Sequence, residues 1–157
     1  MDELQISKIL FRDKSAKNNF VGVYSRTKIP LSMKFPASYI INLDEYGNKG
    51  THWISVYITN KYINVFCSFG NNYLYDNMLL SFFNYFPNRK FICNHIQIQS
   101  FQSVTCGLYS CLFILLLSRG YTFKQYLNIF DFENLVLNDK AITYFFERKY
   151  KIKLLKM

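Results

Sequence analysis

The sequence has no apolar run that could cross a bilayer: the longest, 112–117, falls far short of the roughly 20 residues a spanning helix needs. Nor does it open like a secretory signal, since MDELQISKIL sets acids beside the initiator methionine and lacks a long apolar core. The chain is therefore expected to be soluble and intracellular, with no membrane partner. It has no repeat period, linker or low-complexity stretch, so one domain spanning 1–157 is expected. Four cysteines, Cys67, Cys93, Cys106 and Cys111, read as free thiols and not as a disulfide framework. Acids are scarce, 10 against 19 Lys and Arg, which leaves a formal net charge of +9. Such a balance favours polyanions, but the lysines are scattered and cluster only at 8–17 and 148–156. Most of that charge reads as solvated surface, with non-specific DNA as the alternative partner.

What the chain has in abundance is apolar residues: half the sequence, enough for a folded core. Aromatics reach 19%, but they come with much Ile, Asn and Lys, the mixture expected of A/T-rich coding sequence, so they are no sign of a special aromatic function. Residues 2–14 have Leu4, Ile6, Ile9 and Leu10 at helical spacing, acids first and bases last, and predict a short helix. A loop-like section with Pro30 and Pro36 leads to a strand at 39–43, YIINL. HWISVYIT and YINVFC, separated by Asn60 and Lys61, predict a hairpin. If Thr59 faces Tyr62, then Ile54 faces Cys67 and His52 lies diagonally beside Cys67, on a face otherwise made of Ile54, Val56, Ile58, Ile63 and Val65.

A helical pattern over 71–86 (Leu74, Met78, Leu79, Phe82, Phe83, Phe86) stops at Pro87, and FICNHIQIQ at 91–99 predicts another strand. Residues 106–119, apolar on all sides and ended by Gly120, predict a buried central helix, followed by helices near 122–130 and 138–149. The order gives an α+β fold, with a mixed, mainly antiparallel sheet packed by helices.

Cys106 falls at the start of that central helix, where unpaired backbone N–H groups and the dipole favour a thiolate and could receive an oxyanion. A nucleophilic thiol needs a base, and His52, at the mouth of a strand, is placed as one. Gln99, on the approach to the helix, could supply a second oxyanion donor. Taken singly, each residue is more often structural. Zinc is a poorer alternative: Cys93-x-His95 is not a familiar ligand pair, and Cys106 and Cys111 point about 140° apart on a helix.

Three strings, GTHW at 50–53, FCSFG at 66–70 and QSFQSVTCG at 99–107, follow one another in an order that resembles the cysteine proteases typified by the adenovirus maturation protease. Relatives of that family include proteases of virophages and Polinton elements and, more distantly, SUMO-deconjugating enzymes. They present G-x-H-W, D-S-F-G and Q-S-x-x-S-x-x-C-G in that order, and YIINLD at 39–44 and NLVLND at 134–139 extend the resemblance over 39–144. The resemblance implies Cys106 as nucleophile, His52 as general base, Gln99 with the Cys106 N–H as oxyanion hole, and Trp53 as a wall of the substrate cleft. Ser100 and Ser103 would shape the loop, and Cys93, loosely placed like a thiol that tethers an activating peptide, reads better as structural.

One position departs. Cys67 stands where the family has its acid, and a neutral thiol does not stabilise an imidazolium as a carboxylate does. A Cys-His dyad, another residue orienting His52 (Asn71, Asp76 or Asp44), or a redox role for Cys67 would each account for it, and the dyad is favoured.

The resemblance further implies a monomeric viral endopeptidase, in the host cell and the virion, that cuts capsid or structural precursors next to small residues. No cofactor is demanded by the sequence, though DNA or an activating peptide would fit the family. Removal of a ubiquitin-like modifier is the alternative, as is an inactive relative that binds DNA or scaffold protein.

Overall fold

The computed structural model describes residues 1–44, 52–73 and 76–154. The expected EYGNKG turn, Gly50 and Thr51 of GTHW, and Leu74 lie outside them. Five strands, β1 (Phe20–Ser25), β2 (Ala37–Asn42), β3 (Trp53–Ile58), β4 (Tyr62–Phe66) and β5 (Lys90–Cys93), form one sheet in chain order. The inner pairings, β2 with β3 and β3 with β4, are antiparallel, and the outer ones, β1 with β2 and β4 with β5, are parallel. The fold is α+β, as expected.

Every residue of β3 is buried, because both faces of the sheet are covered. Alternation sends Ile54, Val56 and Ile58 to one face, with Ile63, Val65 and Cys67, where Leu79, Phe82 and Phe83 of α2 (Asn77–Phe83) close a core. Trp53 and Tyr57 go to the other face, against α1 (Glu3–Arg12), α3 (Cys106–Leu117), α4 (Phe123–Leu127) and α5 (Leu135–Tyr150). Helix α3 is buried almost all round, consistent with its unbroken apolar sequence. Two hydroxyls stitch it to β3: Ser110 donates to the Trp53 carbonyl at 3.2 Å and Ser55 to the Ser110 carbonyl at 3.3 Å.

The hairpin register is the expected one. Ile58 faces Ile63, and Thr59 N–H donates to the Tyr62 carbonyl at 2.9 Å, which extends to Ile54 opposite Cys67. Three elements differ from expectation. Strand β1 lies in what reads as loop, with a register shift between Phe20 and Gly22. Helix α2 begins only after Asp76, whose carboxylate accepts from the Met78 and Leu79 N–H groups. The strand expected over 91–99 ends at Cys93, because Asn94 turns its side chain onto the backbone of Cys67.

Candidate active site

The sheet topology brings three sequence-distant residues to one end of the molecule. His52 immediately precedes β3, Cys67 immediately follows the antiparallel β4, and Cys106 opens α3. His52 Nε2 lies 3.2 Å from Cys67 Sγ, the diagonal contact that the register predicts. Its Nδ1 is buried without a hydrogen-bond partner among the described residues, so one ring nitrogen is held and the other is unspent within them. Phe69 packs on the imidazole with ring centroids 5.0 Å apart, Tyr73 lies 6.2 Å away, and Phe101 stacks on Phe69 from an exposed position.

Burial governs the titration of both partners. It pushes the Cys106 thiol up, and the N–H groups of Trp53 and Gly107 aimed at the sulfur take back only part of the rise. The lowered thiol pKa expected from the helix start is therefore not what the structure has: a dipole supplies about 0.3–1 kcal/mol, whereas desolvation moves buried groups by up to several pK units. Burial also pushes His52 down, against a smaller upward pull from Asp44. Both shifts favour the neutral forms, thiol and imidazole.

Cys67 is fixed by a buried clamp that the sequence did not flag. Asn94 accepts from the Cys67 N–H at 3.1 Å and donates to its carbonyl at 2.6 Å. Gly70 closes the turn by donating to the same carbonyl at 2.9 Å, with φ of 72°. Burial pushes the Cys67 thiol up, opposed by the N–H groups of Asn71 and Phe69 aimed at its sulfur. A Cβ on Gly70 would also sit 2.9 Å from the Ile96 carbonyl carbon. Gly70→Ala is therefore expected to cost about 2 kcal/mol, from positive φ and backbone overlap together. Urea denaturation reads it, and an unchanged midpoint would mean the turn relaxes freely.

Of the residues named as possible partners of His52, Asp44 is the one whose charge acts on the ring, and the other two are placed otherwise. Asp76 is occupied by its capping bonds and an ion pair with Arg26 at 3.0 Å. Asn71 donates from its side chain to the Tyr73 hydroxyl at 3.4 Å. His95 is exposed beyond β5, and Cys111 is fully buried in the core of α3. Cys93 is half-buried against the α2-side core. Among the described residues, no group of three His, Cys, Asp or Glu side chains could hold a metal ion.

Gln99 is fully buried, and its amide points into the loop that precedes α3. Nε2 donates to the Ser103 carbonyl at 2.8 Å and to its Oγ at 3.2 Å, while Oε1 accepts from the Ser68 hydroxyl at 2.6 Å. The orientation is fixed because a carbonyl only accepts. In this arrangement Gln99 ties the Cys67 turn to the Cys106 loop, and its amide is spent on Ser103 instead of being an open oxyanion donor. Trp53 is likewise not an open cleft wall: it is 7% exposed and packs in the α3-side core, while its backbone N–H faces the Cys106 thiol.

Open donors are found at the helix start itself. Thr105 is the N-cap residue of α3, yet its side chain makes no capping bond. Its hydroxyl bonds Ser103 Oγ and Asp139 Oδ1. The Leu108 and Tyr109 N–H groups bond the Thr105 carbonyl at 2.9 and 3.2 Å, which leaves those of Cys106 and Gly107 beside the Cys106 sulfur with no side-chain cap. Asp139 of α5 also accepts from the Ser100 N–H and hydroxyl and from the Tyr109 hydroxyl at 2.8 Å, and Asn138 donates to the Ile98 carbonyl at 3.0 Å. The late Asn-Asp element thus holds both ends of the loop that delivers Cys106. Asp139→Ala would leave Ser100 without its acceptor, and Tyr109 and Thr105 with only the Ile98 carbonyl and Ser103 Oγ, and is expected to lower stability by about 2 kcal/mol. Asp139→Asn should restore part of that in the same urea titration; a wild-type midpoint for Asp139→Ala would remove the hub assignment.

No family model matches the chain, and no curated protein matches it. Its fold is shared with solved structures of the ASFV pS273R protease. The selenomethionine form aligns with a TM-score of 0.54 at 16% identity, over 91% of this chain and 66% of that one. A second structure aligns with a TM-score of 0.56 at 14% identity, over 90% and 65%. At these identities the likeness is one of fold, and this chain spans about two thirds of that protease's length.

Proposed function

We propose that the chain is a cysteine endopeptidase of viral type that processes capsid or other structural precursor proteins. The observation that carries this reading is Nε2 of His52 lying 3.2 Å from Cys67 Sγ while the Cys106 thiol takes the N–H of Trp53, the residue next to His52, in a fold shared with a protease. Nδ1 takes the proton of the Cys106 thiol as sulfur attacks the scissile carbonyl carbon. A C–S bond forms, and the carbonyl π electrons move onto oxygen, where the Cys106 N–H at the start of α3 receives them. Collapse breaks the C–N bond, and the imidazolium gives its proton to the leaving amine. Water, deprotonated by His52, then attacks the thioester; the C–S bond breaks and the thiol regains its proton.

Gln99 and Asp139 act on this chemistry through the loop between them, and the exposed Phe101 beside Phe69 offers an apolar surface next to the imidazole. The test is to incubate the protein with the structural proteins encoded beside it and sequence the new termini by mass spectrometry. Termini flanked by small residues are expected. Intact proteins after exhaustive incubation would end the maturation reading, and cleavage confined to a ubiquitin-like tail would replace it with deconjugation.

A further inference from the structure

The two basic clusters of the sequence lie more than a hundred residues apart, yet the fold places them around one groove. Lys8 and Arg12 come from α1, Lys14 from the turn after it, and Lys149, Lys151 and Lys153 from the end of α5 and the segment beyond. That segment is built to present its lysines. Lys151 adopts φ of 52° and ends α5, after which Ile152 and Leu154 pack on the core while Lys151 and Lys153 stay exposed. At the base Arg119 pairs with Asp13 at 2.6 Å, so the one carboxylate in the lining is already neutralised. The Tyr150 hydroxyl, also in the lining, is buried without a hydrogen-bond partner among the described residues.

Six cations with no counter-charge among the lining residues, gathered on a groove of about 590 Å3, repel one another until an anion joins them. The volume falls in the range of small-ligand sites, and the cations surround a pocket instead of tracking a long strip. An occupant must therefore carry several negative charges in a small space. Phosphate groups do so better than carboxylates, which bring one charge each, and they suit Arg and Lys donors.

We propose that the groove between α1 and the 149–153 segment binds a compact polyphosphate. This is independent of the peptidase reading, since neither Cys106 nor His52 lines the groove. The test is a thermal-shift titration of the full chain with tripolyphosphate at constant ionic strength, beside orthophosphate and a single-stranded 20-nucleotide DNA. Tripolyphosphate should raise the melting temperature by several degrees at micromolar concentration, with orthophosphate inert there. The double variant Lys8→Glu, Lys153→Glu, whose changed positions are exposed, should fold normally and bind tripolyphosphate at least tenfold more weakly, while Lys61→Glu on the distant hairpin turn should bind like wild type. Any of three results overturns the proposal: no response to tripolyphosphate, an equal loss in Lys61→Glu (diffuse charge alone), or DNA binding more tightly than tripolyphosphate through these same lysines.

Discussion

Cys106→Ala is expected to remove peptide-bond cleavage, lowering kcat/KM by about 10^4-fold or more, while leaving the melting temperature close to that of wild type. The rate loss corresponds to about 5 kcal/mol of transition-state stabilisation, the scale on which loss of a nucleophile acts when its base remains. The stability cost should be modest, because removal leaves a gap no larger than one atom and takes only a weak sulfur acceptor from the Trp53 and Gly107 N–H groups. A peptide carrying a thiol-reactive electrophile checks the same point covalently. Wild type should be labelled at Cys106, and His52→Ala slowly or not at all. Failure of the wild type to react would identify an inert relative. Retained cleavage in Cys106→Ala would move the nucleophile elsewhere, with Cys111 already disfavoured by its complete burial.

The parts of this site legible in the sequence were those fixed by short-range rules. Alternation in HWISVYIT and YINVFC, with two residues between, left a single register that buries both apolar sets, and that register alone put His52 beside Cys67. Cys106 as the first residue of α3 followed from a polar approach meeting a continuous apolar run. What escaped was set by distant partners. Strand β1 pairs in parallel with β2 across an intervening loop and carries Gly22 at a register shift, so no local pattern announces it. FICNHIQIQ has the composition of a strand throughout, but Asn94 gives its side chain to Cys67, 27 residues earlier, and the ladder stops. The grip of Asp139 on Ser100 and Thr105 spans 39 and 34 residues, although NLVLND stood out as a motif. The same distance effect reversed the reading of the Cys106 thiol. A helix start is visible in sequence, but the desolvation that outweighs it comes from everything packed around the residue.

The division of labour inside the site also follows from burial. With the thiol pushed up and the imidazole pushed down, burial favours the neutral forms over a resting ion pair, which suits proton transfer during attack. A group that holds the ring in place and fixes its tautomer then matters more than one that stabilises a resting imidazolium. Cys67 is where such a group would be. If Nε2 carries the proton and donates to the sulfur, Nδ1 is the basic nitrogen, and it is the one without a partner among the described residues.

Substitutions at Cys67 should separate those two contributions. Cys67→Ala removes the acceptor for Nε2 but keeps the dyad, and kcat is expected to fall about tenfold, the order of a weak sulfur hydrogen bond with some loss of ring order. Cys67→Asp should instead raise kcat, since a carboxylate stabilises the imidazolium that forms during attack. The pH profile supplies the sign. Activity needs an unprotonated Nδ1, so it rises as pH climbs through the His52 pKa, which burial holds below the ordinary 6.5. A carboxylate at position 67 favours the charged ring and raises that pKa, so the acid limb of Cys67→Asp should move to higher pH as its plateau climbs. Cys67→Ala should lower the plateau with little movement of the limb. Structural damage alone would lower the plateau in both variants and shift neither limb. A wild-type plateau in Cys67→Ala would make the sulfur a bystander. Loss as complete as in Cys106→Ala, at an unchanged melting temperature, would mean that the second thiol takes part in the chemistry and that a Cys-His dyad is the wrong description.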